Sequence, residues 1–212
     1  SSIAWIFNIR GSDVPHTPHP LARAIIPASG RPQLFLDKRK TGIEQEAYLT
    51  QLADLVPPSQ FDEAIAALAA AGKRILIDPD QAPFALAEIV RAKGGTLVEA
   101  VDPARLPRAC KNKVELEGSA RAHLQDGAAM VEFLAWLDGT TPGTVTEMTV
   151  TKKLEDVRRS VGERQQNPLK DVSFDTIAGA GAHAAIMHYR VTTATDAAIE
   201  PGTMFLIDSG AQ

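Results

Sequence analysis

Ser173-Phe-Asp-Thr-Ile-Ala-Gly-Ala-Gly-Ala-His-Ala-Ala-Ile-Met-His-Tyr189, taken with Phe205-Leu-Ile-Asp-Ser-Gly210, decides how this chain is read. Both segments read as strands, and each delivers one polar side chain from an apolar run. His188 follows Ala184-Ala-Ile-Met, and Asp208 follows Met204-Phe-Leu-Ile. A carboxylate at the end of an apolar run is not buried cheaply without a donor or a cation. An imidazole and a carboxylate on neighbouring strands suit a hydrolytic metal site. The residues alone leave a second reading open, because an Asp before Ser-Gly also forms turns by bonding its own backbone. Gly179-Ala-Gly181 lacks the Gly-Lys-Ser/Thr that would complete a phosphate loop. Its small residues instead predict close backbone packing beside a site, with a strand following.

Upstream, Lys113 to Leu137 predicts one long helix. Ala120, Leu124, Ala128, Val131 and Leu134 follow the 3.6-residue period, and Trp136 and Leu137 extend that face. Gly118 and Gly127 interrupt it, which predicts close packing at those points to offset their low helix propensity. His123 and Asp126 stand three apart and read as a structural polar pair. Asp138 to Gly143 reads as a turn. Thr144 with Glu147 reads as a capping box opening a helix to about Val161.

The first half has a different rhythm. Ile3 to Ile9, rich in β-branched and aromatic residues, predicts a strand. Arg10 to Pro20 holds three prolines within six residues, Pro15, Pro18 and Pro20, so it predicts a loop. His16 and His19 lie in it, and it reads as a loop without metal. Leu21–Pro27 and Gln33–Leu36 predict a hairpin. Gly42 to Leu52 predicts a short helix. Ser59 caps an expected helix to Ala71 with Phe61, Ile65 and Leu68 as its buried stripe. Arg74–Asp78 and Leu97–Val101 predict strands around a helix from Asp80 to Lys93. Strands alternating with helices indicate an α/β domain with a partly parallel sheet. Asp102-Pro-Ala-Arg-Leu-Pro107 reads as the linker, dividing the chain into domains at 1–110 and 111–212.

With 212 residues, 44% of them hydrophobic, the chain can bury a sizeable core. Its apolar runs are too short and too charged to span a membrane. Residues 1–110 carry 12 basic and 12 acidic side chains, and residues 111–212 carry 10 and 14. Neither half has the basic excess of a nucleic-acid surface. Cys110 is the single cysteine, so no internal disulfide forms, and it reads as an ordinary structural thiol in a reducing compartment.

Four stretches together resemble the three-domain aminopeptidase P (Xaa-Pro aminopeptidase) of the pita-bread metallopeptidase family. Ser2-Ile-Ala-Trp-Ile-Phe-Asn-Ile-Arg-Gly-Ser-Asp13 resembles the start of that family's middle domain. Lys111-Asn-Lys-Val-Glu-Leu-Glu-Gly118 with Ala122-His-Leu-Gln-Asp-Gly127 resembles the first helix of its catalytic domain. Ser173 to Gly179 with Ile186-Met-His-Tyr189 resembles the segment bearing its active-site histidine. Leu206-Ile-Asp-Ser-Gly-Ala-Gln212 resembles the strand with its first metal-binding aspartate.

The resemblance implies a creatinase-N-like α/β middle domain followed by the α+β first half of a pita-bread catalytic domain. It implies release of an N-terminal residue that precedes proline, in the cytoplasm, by an enzyme that forms a homodimer. Two divalent metal ions, typically manganese, hold the hydrolytic hydroxide in this family. Asp208 matches the first metal ligand and His188 the histidine that meets the substrate near the scissile bond. The remaining ligands are expected beyond Gln212, so the chain is expected to be a piece of a longer, active protein. Where the family commonly has an asparagine, this chain has His183. A proline dipeptidase and a non-catalytic pita-bread module that binds proteins are the other two readings. Neither nucleic acid nor membrane is expected as a partner.

Overall fold

Ala4 and Phe7 are both buried, three residues apart, and that spacing is helical rather than extended. The computed structural model accordingly has a short helix, α1 (Ser2–Ile6), where the β-branched composition predicts a strand. Burial of this face against Leu34, Leu36 and Leu49 overrides local propensity. The helix ends in a Schellman motif. Asn8 takes φ 47°, and the Asn8 and Ile9 amides donate back to the Trp5 and Ala4 carbonyls. The structure describes residues 1–141 and 143–212. Pro142, part of the turn expected over 138–143, lies outside the described residues.

The chain divides into two units, Ser1–Lys111 and Asn112–Gln212. In the first, β1 (Arg23–Ile25) and β2 (Gln33–Phe35) pair antiparallel as the expected hairpin. After α2 (Ile43–Leu52), β3 (Asp54–Val56) joins β2 in parallel. Next come α3 (Phe61–Ala70), β4 (Arg74–Ile77), α4 (Phe84–Ala92) and β5 (Thr96–Glu99), with β4 and β5 parallel. The expected α/β character with partly parallel pairing is present.

Phe35 and Phe61 meet edge to face at 4.9 Å and organise a core with Ile65, Ala69 and Val90. Full burial of one such ring contributes about 2 kcal/mol. On α3 the fully buried position is Ala69, while Leu68 is only half-buried. Ser59 does not cap α3 but sits in a 3-10 turn, Pro58–Gln60, that leads into it. Similarly, the helix expected from Asp80 begins only at Phe84, with Pro83 as its N-cap residue. The expected linker includes a short helix, α5 (Arg105–Ala109).

The second unit is built on α6 (Lys113–Asp138) and α7 (Glu147–Arg164), with the antiparallel pair β6 (Ile177–Ala180) and β7 (Phe205–Asp208). Asn112 and Glu115 form a reciprocal capping box at the start of α6. The buried stripe of α7 is Val150, Leu154, Val157 and Val161. It meets Ala129 and Phe133 of α6, and Phe205 and Ile207 pack against the same cluster.

That contact corrects the expected face of α6 in part: Ala128, Trp136 and Leu137 pack against the core as read, while other members of the stripe do not. Ala129 and Phe133 are buried, whereas Leu124 is 77% and Val131 67% exposed. Asp126, on the inner face, is partnered by Arg158 of α7, which lets a less hydrophobic stripe pack inward. Gly118 and Gly127 face open space, with no atom within 4 Å of where a Cβ would stand. The packing expected to offset them is therefore absent among the described residues. The capping box predicted for Thr144 and Glu147 is also replaced. Thr146 is the N-cap, its Oγ1 accepting from the Thr149 amide at 3.3 Å, and the Glu147 side chain turns inward.

Candidate functional site

β6 and β7 pair in the register Ile177 with Asp208 and Ala180 with Phe205. Asp208 thus closes β7 beside the first residue of β6, and its side chain is exposed. Beyond β6 the strand expected to carry His188 does not continue. Gly181 turns the backbone with φ 56°, and Gly181–Ala185 winds into a 3-10 helix. The helix folds back so tightly that a Cβ on Gly179 would stand 2.8 Å from the Ala184 nitrogen. This is the close backbone approach that the run of small residues implied. His188 lies on the turn after it, where the Tyr189 amide donates to the Ile186 carbonyl at 3.2 Å. Its own φ is 54°, a left-handed conformation that non-glycine residues rarely adopt. His188 is exposed and the next residue, Tyr189, is buried.

Sequence reasoning missed the residue at the centre of this arrangement. Glu147 is 0% exposed. Its Oε1 accepts from the Ala180 amide at 2.7 Å and from His183 Nδ1 at 2.8 Å. Its Oε2 accepts from the Tyr189 hydroxyl at 3.0 Å and from the Ala197 amide at 3.3 Å. The Glu147 amide in turn donates to the Ala197 carbonyl. His183 and Tyr189 stack their rings with centroids 4.5 Å apart. Burial pushes the Glu147 carboxyl up, but the four donors outweigh it and hold the group below its ordinary value. An ionised carboxylate only accepts, so the network places the His183 proton on Nδ1. Burial raises the Tyr189 phenol, and the adjoining Glu147 carboxylate adds to that. One signal was available: Glu147 falls on the same helical stripe as Val150, Leu154, Val157 and Val161.

Beside Asp208, Ser209 accepts from Arg158 Nη2 at 3.2 Å. Arg158 is buried and also grips Asp126. Asp126 is therefore partnered by α7 and not by His123, whose Nδ1 meets the Ser119 carbonyl at 2.8 Å. The Asp208 carboxylate and the His188 ring make no hydrogen bond or ion pair with the described residues. Among the described residues no three His, Cys, Asp or Glu side chains gather to hold a metal ion. A cleft of about 380 Å³ is lined by Lys152, Glu155, Asp175 and Arg190, without His188 or Asp208.

Residues 1–115 match the family model of the creatinase/prolidase N-terminal domain, and residues 117–212 that of metallopeptidase family M24. The chain belongs to the creatinase/prolidase metallopeptidases of family M24. It is 35% identical to Xaa-Pro aminopeptidase 1 of Dictyostelium discoideum, over 99% of this chain and 33% of that protein. It is 32% identical to aminopeptidase P2 of Arabidopsis thaliana, with the same coverage of each. The chain thus spans about a third of the length of these relatives. The X-prolyl aminopeptidase of Caenorhabditis elegans, described as a cytosolic enzyme with a di-nuclear active site, superposes with a TM-score of 0.85 at 26% identity. That match covers 99% of this chain and 34% of that one. The fold class read from the sequence, creatinase-N-like followed by part of a pita-bread domain, is that of these M24 proteins. No helix among the described residues is long and apolar enough to cross a membrane.

Proposed function

We propose that this chain is part of an Xaa-Pro aminopeptidase, releasing the N-terminal residue of peptides with proline second. The observation that carries the reading is the alignment to Xaa-Pro aminopeptidase 1 over 99% of the chain at 35% identity. The proposed domains are 1–110, an accessory α/β domain, and 111–212, the first part of the catalytic domain. Asp208 is the proposed metal ligand. Its exposed, unpartnered carboxylate at a strand end is a donor that hard divalent ions accept. One carboxylate is a single ligand, so the rest of a dinuclear centre has to come from residues outside this chain's described set. Two divalent ions, manganese by this proposal, supply when bound an acidified water and a Lewis acid for the carbonyl.

This chain's own residues then have defined tasks. His188, exposed beside a buried tyrosine, presents an imidazole that binds the substrate near the scissile bond. Asp208 pairs with Ile177 at the start of β6, the strand that leads into the segment bearing His188. The proposed setting is cytoplasmic and homodimeric, supported for the first by the cytosolic description of the Caenorhabditis elegans enzyme.

The test is cleavage of a tripeptide with proline second by the intact gene product, with manganese and then with a chelator. Chelator-sensitive release of the first residue supports the reading. Cleavage of Xaa-Pro dipeptides alone would reassign it as a proline dipeptidase. No hydrolysis of either would leave the protein-binding module.

A further inference from the structure

We propose that Glu147 is a positioning residue for His188, acting through Tyr189 and His183. The inference rests on the reading of His188 as the substrate-binding imidazole. Three of the four groups that donate to the Glu147 carboxylate lie between Ala180 and Tyr189. They bracket the 3-10 helix and the turn that carries His188. The fourth, the Ala197 amide, ties the returning chain to the same carboxylate. One buried anion therefore gathers two backbone amides and two side chains, from the stretch 180–189 and from Ala197, at the N-terminus of α7, where the helix dipole also favours negative charge.

The consequence for His188 is geometric. Successive side chains in the turn point to opposite sides, Tyr189 inward and His188 outward. Tyr189 is held at its hydroxyl by Glu147 and across its ring face by His183. Once Tyr189 is fixed, the direction of the neighbouring imidazole follows. The left-handed φ of His188 persists only where its surroundings over-determine it, and this network supplies that constraint. A misplacement of about 1 Å at a reacting group costs on the order of a hundredfold in rate.

Glu147→Gln is the isosteric test. Its amide keeps one acceptor oxygen and turns an NH2 toward one of the two backbone amides, Ala180 or Ala197, so that contact is lost and the side chain paired on the same oxygen has to reverse its role. In the intact gene product, kcat for an Xaa-Pro tripeptide is expected to fall at least tenfold with KM changed less than threefold. His183→Asn retains a side-chain N–H toward Glu147 and is expected to keep kcat within threefold, whereas His183→Leu loses about tenfold. Tyr189→Phe removes a single donor and serves if Glu147→Gln does not fold. The second readout needs no activity: the imidazole NMR signals of His188 shift or broaden in Glu147→Gln and in Tyr189→Phe. Lower thermal stability with kcat and the His188 signals unmoved would overturn the inference and leave Glu147 merely structural. A wild-type protein that cleaves no Xaa-Pro peptide would instead defeat the proposed function, and the His188 signals alone would then decide the positioning role.

Discussion

Arg158 grips Asp126 with two hydrogen bonds, Nε to Oδ1 at 2.7 Å and Nη2 to Oδ2 at 3.1 Å. The pair joins α7 to α6, and Nη2 reaches on to Ser209, the neighbour of the proposed metal ligand. The two partners are unequally buried, with side-chain exposures of 3% for Arg158 and 36% for Asp126.

That inequality predicts an asymmetric mutational response. Asp126→Ala strands a buried guanidinium and should cost about 3–5 kcal/mol. Arg158→Met leaves a carboxylate that water can reach and should cost markedly less. Urea denaturation of both variants is the measurement. Equal losses would contradict the account.

The Glu147 carboxyl predicts a pH dependence of stability. Its folded-state value is depressed below the ordinary 4.5. A depressed acid contributes stability that is fully present above its unfolded value and is lost as pH falls through the folded value. Thermal midpoints should thus hold steady above about pH 5.5 and fall from about pH 4.5 downward. Glu147→Gln should be less stable at neutral pH and should flatten this acid limb. An acid limb of unchanged steepness in the variant would assign the loss to other carboxylates.

Gly118 and Gly127 lie inside α6 with nothing near their missing Cβ atoms. Gly118→Ala and Gly127→Ala should each stabilise the chain by about 0.5–1 kcal/mol, through helix propensity and a less flexible unfolded state. Calorimetry reads this directly. Destabilisation by either alanine would mean that something seats closely on that face.

Asp208→Ala should abolish chelator-sensitive cleavage of Xaa-Pro peptides while moving stability by less than about 0.5 kcal/mol, since the side chain is exposed and unpartnered. His188→Ala should lower turnover far more than metal content. Metal analysis alongside the peptide assay separates the two roles. An Asp208→Ala protein with wild-type activity would remove Asp208 from the site.

Much of the fold is written in local pattern. The α1 region is an instructive miss, because Ile3, Trp5 and Ile6 carry strand propensity while the Ala4–Phe7 spacing carries burial. On α6 the most hydrophobic stripe, with Leu124, Val131 and Leu134, is exposed, and the packed stripe runs through Asp126, Ala129 and Phe133. Periodicity locates a helix but ranks faces by residue type alone. It has no means to credit Asp126 for an arginine 32 residues away. At the site, Asp208 ends a strand as read. His188 does not stand on one, because Gly181 turns the backbone before it. Glu147 looked like a cap since an acid in a first turn usually serves the helix. Its real partners, at 180, 183, 189 and 197, are all distant in sequence.

The β6–β7 register also sets where this part of the protein tolerates insertions and deletions. Side chains of β7 alternate, with Phe205 and Ile207 turned toward Phe133 and Leu154, and Leu206 and Asp208 turned away. An extra residue at the exposed Pro201-Gly202 turn is absorbed as a slightly longer loop. The same residue inserted between 205 and 208 inverts the strand, hiding the carboxylate and presenting an isoleucine in its place. When related sequences are compared, length differences belong on the turn, and a gap placed within those four positions marks a misaligned site.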